Sequence, residues 1–301
     1  MDIQRGLAAG IGALVLAACQ PADTPPETGD TSAAAETGTS TSTTNSVSTD
    51  FTVDVSYHQL DNGLRVVLSQ DHTVPTATVG VYYGVGFRNE PRGRTGFAHL
   101  FEHLMFQGSR NLPHGAFDNL IYGSGGVNNG STRYDFTNYY EVVPSNALQA
   151  VLWAEADRMA FPDLDENQLN NQREVVRNEV FVNVINQPYG GWIWIDLPMA
   201  ANENWHNAHN FYGDLSDLDA ASLEDAQTFF DQFYAPSNAV LVVAGDFDRE
   251  ETLGWIEEMF GHIPAGDPLP EIDTSEPRQE EEKFAFIEDD LANQPALAVG
   301  Y

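Results

Sequence analysis

The sequence predicts an α+β fold: an antiparallel or mixed sheet with helices over one face. Three observations carry this. Asp61-Asn62-Gly63, between two short runs rich in Val, Leu and Tyr, is a hairpin signal. A second stretch, from Val127 to Pro144, divides into two more strands that can pair with each other. Helical runs over 145–160 and 165–185 come after these strands as a block, so the helices segregate to one side.

Taken in order, the ordered pattern starts near Phe51 and opens with the hairpin. Thr76 to Gly86 reads as a longer apolar strand, and Thr95 to Gln107 as a helix. Gly123 to Gly126 mark a loop before the second strand pair. Of the two helices that follow, the second opens on Asp165 and Glu166, whose charge suits a helix N-terminus. Gln187 to Gly213 is rich in Trp, Asn, Gly and Pro and is expected to be irregular. "SLEDAQTFFDQFY" is an amphipathic helix, "NAVLVVAGDF" a buried strand, and "REETLGWIEEMFG" a further helix. Pro264 to Glu282 has linker composition, and "QPALAVGY" reads as the opening of a new apolar strand. The expected division is 1–19 signal, 20–50 tether, 51–265 main domain, 266–283 acidic linker, and 284–301 the start of a second domain.

Arg5 is followed by the small-residue apolar run "GLAAGIGALVLAAC", too short to span a bilayer as a helix. Leu16-Ala17-Ala18-Cys19 resembles the bacterial lipobox, which implies lipidation of Cys19 and a membrane anchor; the alternative is an ordinary secretory signal with an incidental cysteine. Either implies export, and Gln20 after the cysteine implies sorting to the outer membrane, facing the periplasm. Cys19 is the sole cysteine, so no intramolecular disulfide can form. Residues 20–50 hold almost no large apolar side chains and cannot offset the entropy of ordering, so they read as a disordered tether. The formal charge of -32 would be repelled by phosphate backbones, which argues against a nucleic-acid partner. The same charge fits either a solvated surface or a preference for basic substrates.

The chemistry centres on His99-Leu100-Phe101-Glu102-His103. On a helix, positions three and four apart share a face, so both imidazoles and the carboxylate can converge. Two histidines at that spacing suit zinc, and this order of residues occurs among inverted zinc peptidases. The surroundings match further: "GFAHLFEHLMFQGS", "TNYYEVVP", "EADRM", "REVVRNEV", "QPYGG" and "FYAPSNAVLVVAGDFD", in that order, resemble the pitrilysin/insulinase-like family of zinc peptidases over about Tyr57 to Gly261.

That resemblance implies a zinc-dependent metalloendopeptidase hydrolysing peptides or unfolded segments. His99 and His103 would be zinc ligands, and Glu102 the general base acting on water. It places a third ligand at Glu179, 76 residues after His103; Glu174 lies five residues upstream and faces another side of the helix. Many relatives carry a glutamate where this chain has Gln172. Asn129 falls where relatives bind the substrate backbone, although "GGVNNG" would also favour asparagine on turn chemistry alone. The resemblance further implies a homologous second half, in the same chain or as a partner subunit. The rival readings are a non-catalytic scaffold subunit and a zinc-binding protein without peptidase activity. His206 and His209 are a weak second metal candidate, and Trp192, Trp194 and Trp205 read as substrate-chamber or packing residues.

Overall fold

The computed structural model describes residues 52–300; Cys19, the expected signal and the expected tether lie outside the described residues. Six strands form one sheet: β1 (Ser56–Gln59), β2 (Arg65–Gln70), β3 (Thr76–Tyr83), β4 (Val127–Thr132), β5 (Thr137–Pro144) and β6 (Ala239–Gly245). Their order across the sheet is β1-β2-β6-β3-β5-β4. Every neighbouring pair is antiparallel except β2 with β6, so the sheet is mixed. β6 enters between β2 and β3, while Val79 of β3 stands opposite both Glu141 and Val243.

Nine α-helices accompany the sheet among the described residues: α1 (Phe97–Leu104), α2 (Ala116–Gly123), α3 (Leu148–Ala160), α4 (Glu166–Val180), α5 (Leu197–Ala201), α6 (Trp205–Ala208), α7 (Leu215–Ala220), α8 (Leu223–Phe233) and α9 (Arg249–Phe260). The period-2 alternation of the strands drives one face under these helices. Val66, Leu68, Val79, Val81, Tyr139, Leu241 and Val243 on that face are all buried. α3 covers β3 and β5 and packs on α9, whereas α1 sits over β4 and β5 and touches α4 and α8. The expected α+β layering is what the chain adopts.

Helix starts follow their caps. Asp165 accepts from the Gln168 amide, Asp248 from that of Glu251, and Ser222 forms a reciprocal box with Asp225. The helix expected from Thr95 starts later, at Phe97, because Gly96 takes a left-handed φ of 83°. α4 ends at Val180 and continues as a wider π-helical turn over Phe181–Ile185.

α2 lies where the sequence offered no element, and two expectations need correction. The Gln187–Gly213 stretch is not wholly irregular: it holds a π-helical turn at Trp192–Asp196 and the short helices α5 and α6. The apolar strand expected from Gln294 does not form, since residues 294–300 have no ladder partner among the described residues, and Leu297 and Val299 stay exposed. A strand without a neighbour leaves its backbone groups to water. The acidic stretch 266–283 has no regular secondary structure, and its residues 273–276 and 283 bond to residues 201–207. There the Glu276 carboxylate accepts from the Glu203 and Asn204 amides, and the Lys283 ammonium donates to the Ala201 carbonyl.

Candidate metal centre

α1 and α4 cross so that three side chains meet. His103 Nε2 lies 3.3 Å from His99 Nε2 and 3.3 Å from Glu179 Oε2, and His99 Nε2 lies 3.6 Å from that same oxygen. Ligand atoms at 2.0–2.1 Å around a tetrahedral zinc stand about 3.3 Å apart. The trio therefore has the spacing of three corners of such a site, and it is the single His/Cys/Asp/Glu group of that kind among the described residues.

The electrostatics suit a cation. Burial, with the His103 imidazole beside it, pushes His99 down to about 4, so at neutral pH its ring is uncharged and its lone pair is available. Glu179 is held below the usual carboxylate range by its hydrogen bond with His103, with further support from Asn183 in the π-helical turn. Glu174 instead faces solvent and pairs with Arg177 at 3.6 Å. Gln172, two turns before Glu179 and so on nearly the same face of α4, is buried.

Glu102 stands one residue before His103, half-buried, and burial raises its pKa. The Thr132 hydroxyl donates to Glu102 Oε2 at 2.6 Å. β4 can come this close because Gly130 has no side chain; a Cβ there would lie 3.2 Å from the Glu102 Cγ. Asn129 lies on β4 itself rather than in a turn, exposed on the outermost strand of the sheet, with its side-chain oxygen accepting from the Gly130 amide. The site thus lies beside β4, the strand that ends the sheet among the described residues.

Among the described residues, His206 and His209 belong to no group of three ligands. His206 Nδ1 lies 2.8 Å from the Arg88 carbonyl, and His209 Nε2 lies 3.1 Å from Glu90 Oε2. Trp205 stacks on His209, while Trp194 is largely exposed. Sequence reasoning missed Glu90, Thr132, Asn183 and Tyr212; Asn183 stands four residues after Glu179, a spacing that could have flagged it, whereas the other three reach the site through the fold alone.

The profile described as Insulinase (Peptidase family M16) matches residues 65–189, and that described as Peptidase M16 inactive domain matches residues 220–301. The chain belongs to the insulinase family, peptidase family M16. It is 30% identical to zinc protease PqqE of Helicobacter pylori, over 80% of this chain and 55% of that protein. It is 27% identical to human cytochrome b-c1 complex subunit 1, over 74% of this chain and 46% of that one. The crystal structure of a protease from Helicobacter pylori superposes with a TM-score of 0.76 at 29% identity, covering 80% of this chain and 58% of that chain. Pitrilysin shares the fold with a TM-score of 0.68 at 22% identity, covering 76% of this chain and 25% of its own. The chain spans about half the length of the curated relatives it matches.

Proposed function

We propose that this chain is the metal-binding half of a zinc-dependent endopeptidase that hydrolyses peptides or unfolded segments. The observation that carries the reading is the convergence of His99, His103 and Glu179 at ligand spacing with the Glu102 carboxylate alongside. His99 and His103 would hold the ion through Nε2 and Glu179 through a carboxylate oxygen. Zinc bound there would supply a Lewis acid that acidifies water and polarises a carbonyl.

The chain's own groups do the rest. Glu102 is the general base and then the acid: it takes a proton from the attacking water and returns it to the leaving amine. Its raised pKa suits a group that must accept and release within one cycle. Thr132 occupies one carboxylate oxygen and leaves the other for that exchange. The free edge of β4 offers backbone donors and acceptors to an extended peptide, and Asn129 adds a side-chain amide on that edge.

In this reading a second, homologous half, in cis or as a partner subunit, completes the substrate chamber, and the present chain alone binds zinc but turns over poorly. Relatives named as subunits of complexes support the pairing and also motivate the rival, a scaffold role without catalysis. The complete set of His99, Glu102, His103 and Glu179 favours the peptidase. Lipidation at Cys19, anchoring at the outer membrane and a periplasm-facing domain are the proposed localisation, supported by the Leu16–Cys19 pattern. Among the described residues no helix is long and apolar enough to cross a membrane.

The test is metal content. The purified chain should carry stoichiometric zinc and Glu179→Gln should lose most of it, whereas equal zinc in the two would move the site elsewhere. With the second half supplied, Glu102→Gln should keep the metal and abolish chelator-sensitive cleavage; near-parent cleavage would remove Glu102 from its role.

A further inference from the structure

His99 is the third residue of α1, and its outward nitrogen, Nδ1, is buried without a hydrogen-bond partner. A metal-binding histidine is ordinarily oriented by a carboxylate or carbonyl on that second nitrogen. Here no such group does the work. The ring is oriented by the edge of Tyr212, 5.2 Å away at 75°, and by wherever the first turn of α1 places it.

That first turn is held from outside the helix. Its N-cap, Gly96, has no side chain to satisfy the free amides. Glu90, completely buried, does so instead: Oε2 accepts from the Gly96 amide and Oε1 from the Ala98 amide, each at 2.9 Å. Ala98 is the residue immediately before His99. Glu90 Oε2 also faces His209 Nε2, while His209 Nδ1 lies 3.0 Å from the Trp205 carbonyl. Both ring nitrogens therefore point at acceptors, an arrangement that only the doubly protonated ring satisfies as a donor at both ends. The ring lies flat on the Trp205 indole at 4.3 Å, 13° from parallel. The segment after His209 closes on the same turn: a Cβ on Gly96 would lie 2.6 Å from the Tyr212 carbonyl oxygen.

We infer that Glu90 and His209 are positioning residues for the metal: a buried charged pair that fixes the first turn of α1 and thereby the His99 imidazole. The inference rests on the reading of His99, His103 and Glu179 as zinc ligands. It assigns to the pair the orienting task that the unpartnered Nδ1 of His99 leaves open, together with a favourable charge at the positive end of the helix.

Zinc affinity of the purified full chain, measured by chelator competition, tests it without recourse to activity. Glu90→Gln should weaken zinc binding about 10- to 100-fold, the range usual for groups that orient metal ligands. His209→Gln should weaken it in the same direction by less, and the visible bands of the cobalt-loaded forms should shift in both. Asp248→Asn, which removes the cap of the distant α9, should lower the melting temperature yet leave zinc affinity unchanged, so a general loss of stability cannot mimic the effect. Parent-like affinity in a folded Glu90→Gln chain would overturn the inference; if that variant does not fold, parent-like affinity in His209→Gln would overturn it. Equal zinc binding by parent and Glu179→Gln would instead remove the site reading, and this inference with it.

Discussion

Thr132 and Glu102 tie the outermost strand to the helix that carries both histidines: the buried threonine's hydroxyl donates to the half-buried carboxylate at 2.6 Å. The bond fixes which carboxylate oxygen remains free. With the proposed second half supplied, Thr132→Val should lower kcat about 10- to 100-fold with little change in KM or zinc content, because orientation is lost while substrate binding is not. Thr132→Ser retains the hydroxyl and should stay within a few-fold of the parent. Steady-state kinetics on both variants checks this.

Two nearby glycines with positive φ should differ sharply on substitution. Gly93, at 78°, has nothing within 4 Å of a would-be Cβ, so Gly93→Ala should cost only the conformational strain, about 1 kcal/mol. Gly96, at 83°, faces the Tyr212 carbonyl at 2.6 Å and should cost about 2–4 kcal/mol. Urea unfolding of the metal-free chain reads the difference, and equal costs would mean that the 212–213 segment does not press on α1.

Arg158 of α3 is buried between Glu155, with which it pairs closely, and Glu141 of β5 at 3.3 Å, with Phe117 and Tyr139 against the guanidinium. Burial, together with Glu155, pushes the Glu141 carboxyl well up, so the arginine is what makes this acid tolerable inside the core. Arg158→Met should destabilise by about 3–5 kcal/mol, because it strands two carboxyls without their counter-charge. Adding Glu141→Gln and Glu155→Gln should restore a substantial part of that loss. Denaturant midpoints across the three chains decide the matter.

His99 gives the metal-free chain a defined acid sensitivity. Its pKa falls from 6.5 in the unfolded chain to about 4 when folded. Between those values the unfolded state binds the proton and the folded state does not, so unfolding free energy rises with pH across that window and falls as pH drops through it. The loss should reach about 3 kcal/mol by pH 4 and then level off. His99→Gln cannot take up that proton, so the stability gap between parent and variant should narrow or reverse from pH 6.5 down to pH 4. A gap independent of pH in that range would contradict the assignment.

Much of this was legible in the chain, for identifiable reasons. The Asn62-Gly63 turn, the apolar runs of β3 and β6 and the capped start at Asp165 are local signals, and each element formed where its signal lay. The motif spacing placed His99, Glu102 and His103 on one helix, and the family resemblance carried Glu179 to within ligand distance of them. What stayed hidden was non-local or short. α2 has eight residues between Gly115 and Ser124, too few for a periodic pattern to stand out. Glu90, Thr132 and His209 approach α1 from separate loops and a strand, and no spacing along the chain encodes that meeting. The unformed strand after Gln294 is the converse case: its composition is strand-like, but a ladder needs a neighbour.

The parallel pairing of β2 with β6 has a consequence for how the protein is made. The N-terminal hairpin and the β3-β5-β4 group share no direct ladder; β6, more than 160 residues downstream of β2, joins them. During vectorial synthesis both histidines and Glu179 leave the ribosome before the seam that unites the two sheet fragments exists. A nascent chain halted ahead of Ala239 would carry every proposed zinc-binding side chain yet lack the central strand of its scaffold, so metal capture is expected to follow sheet closure rather than nucleate it.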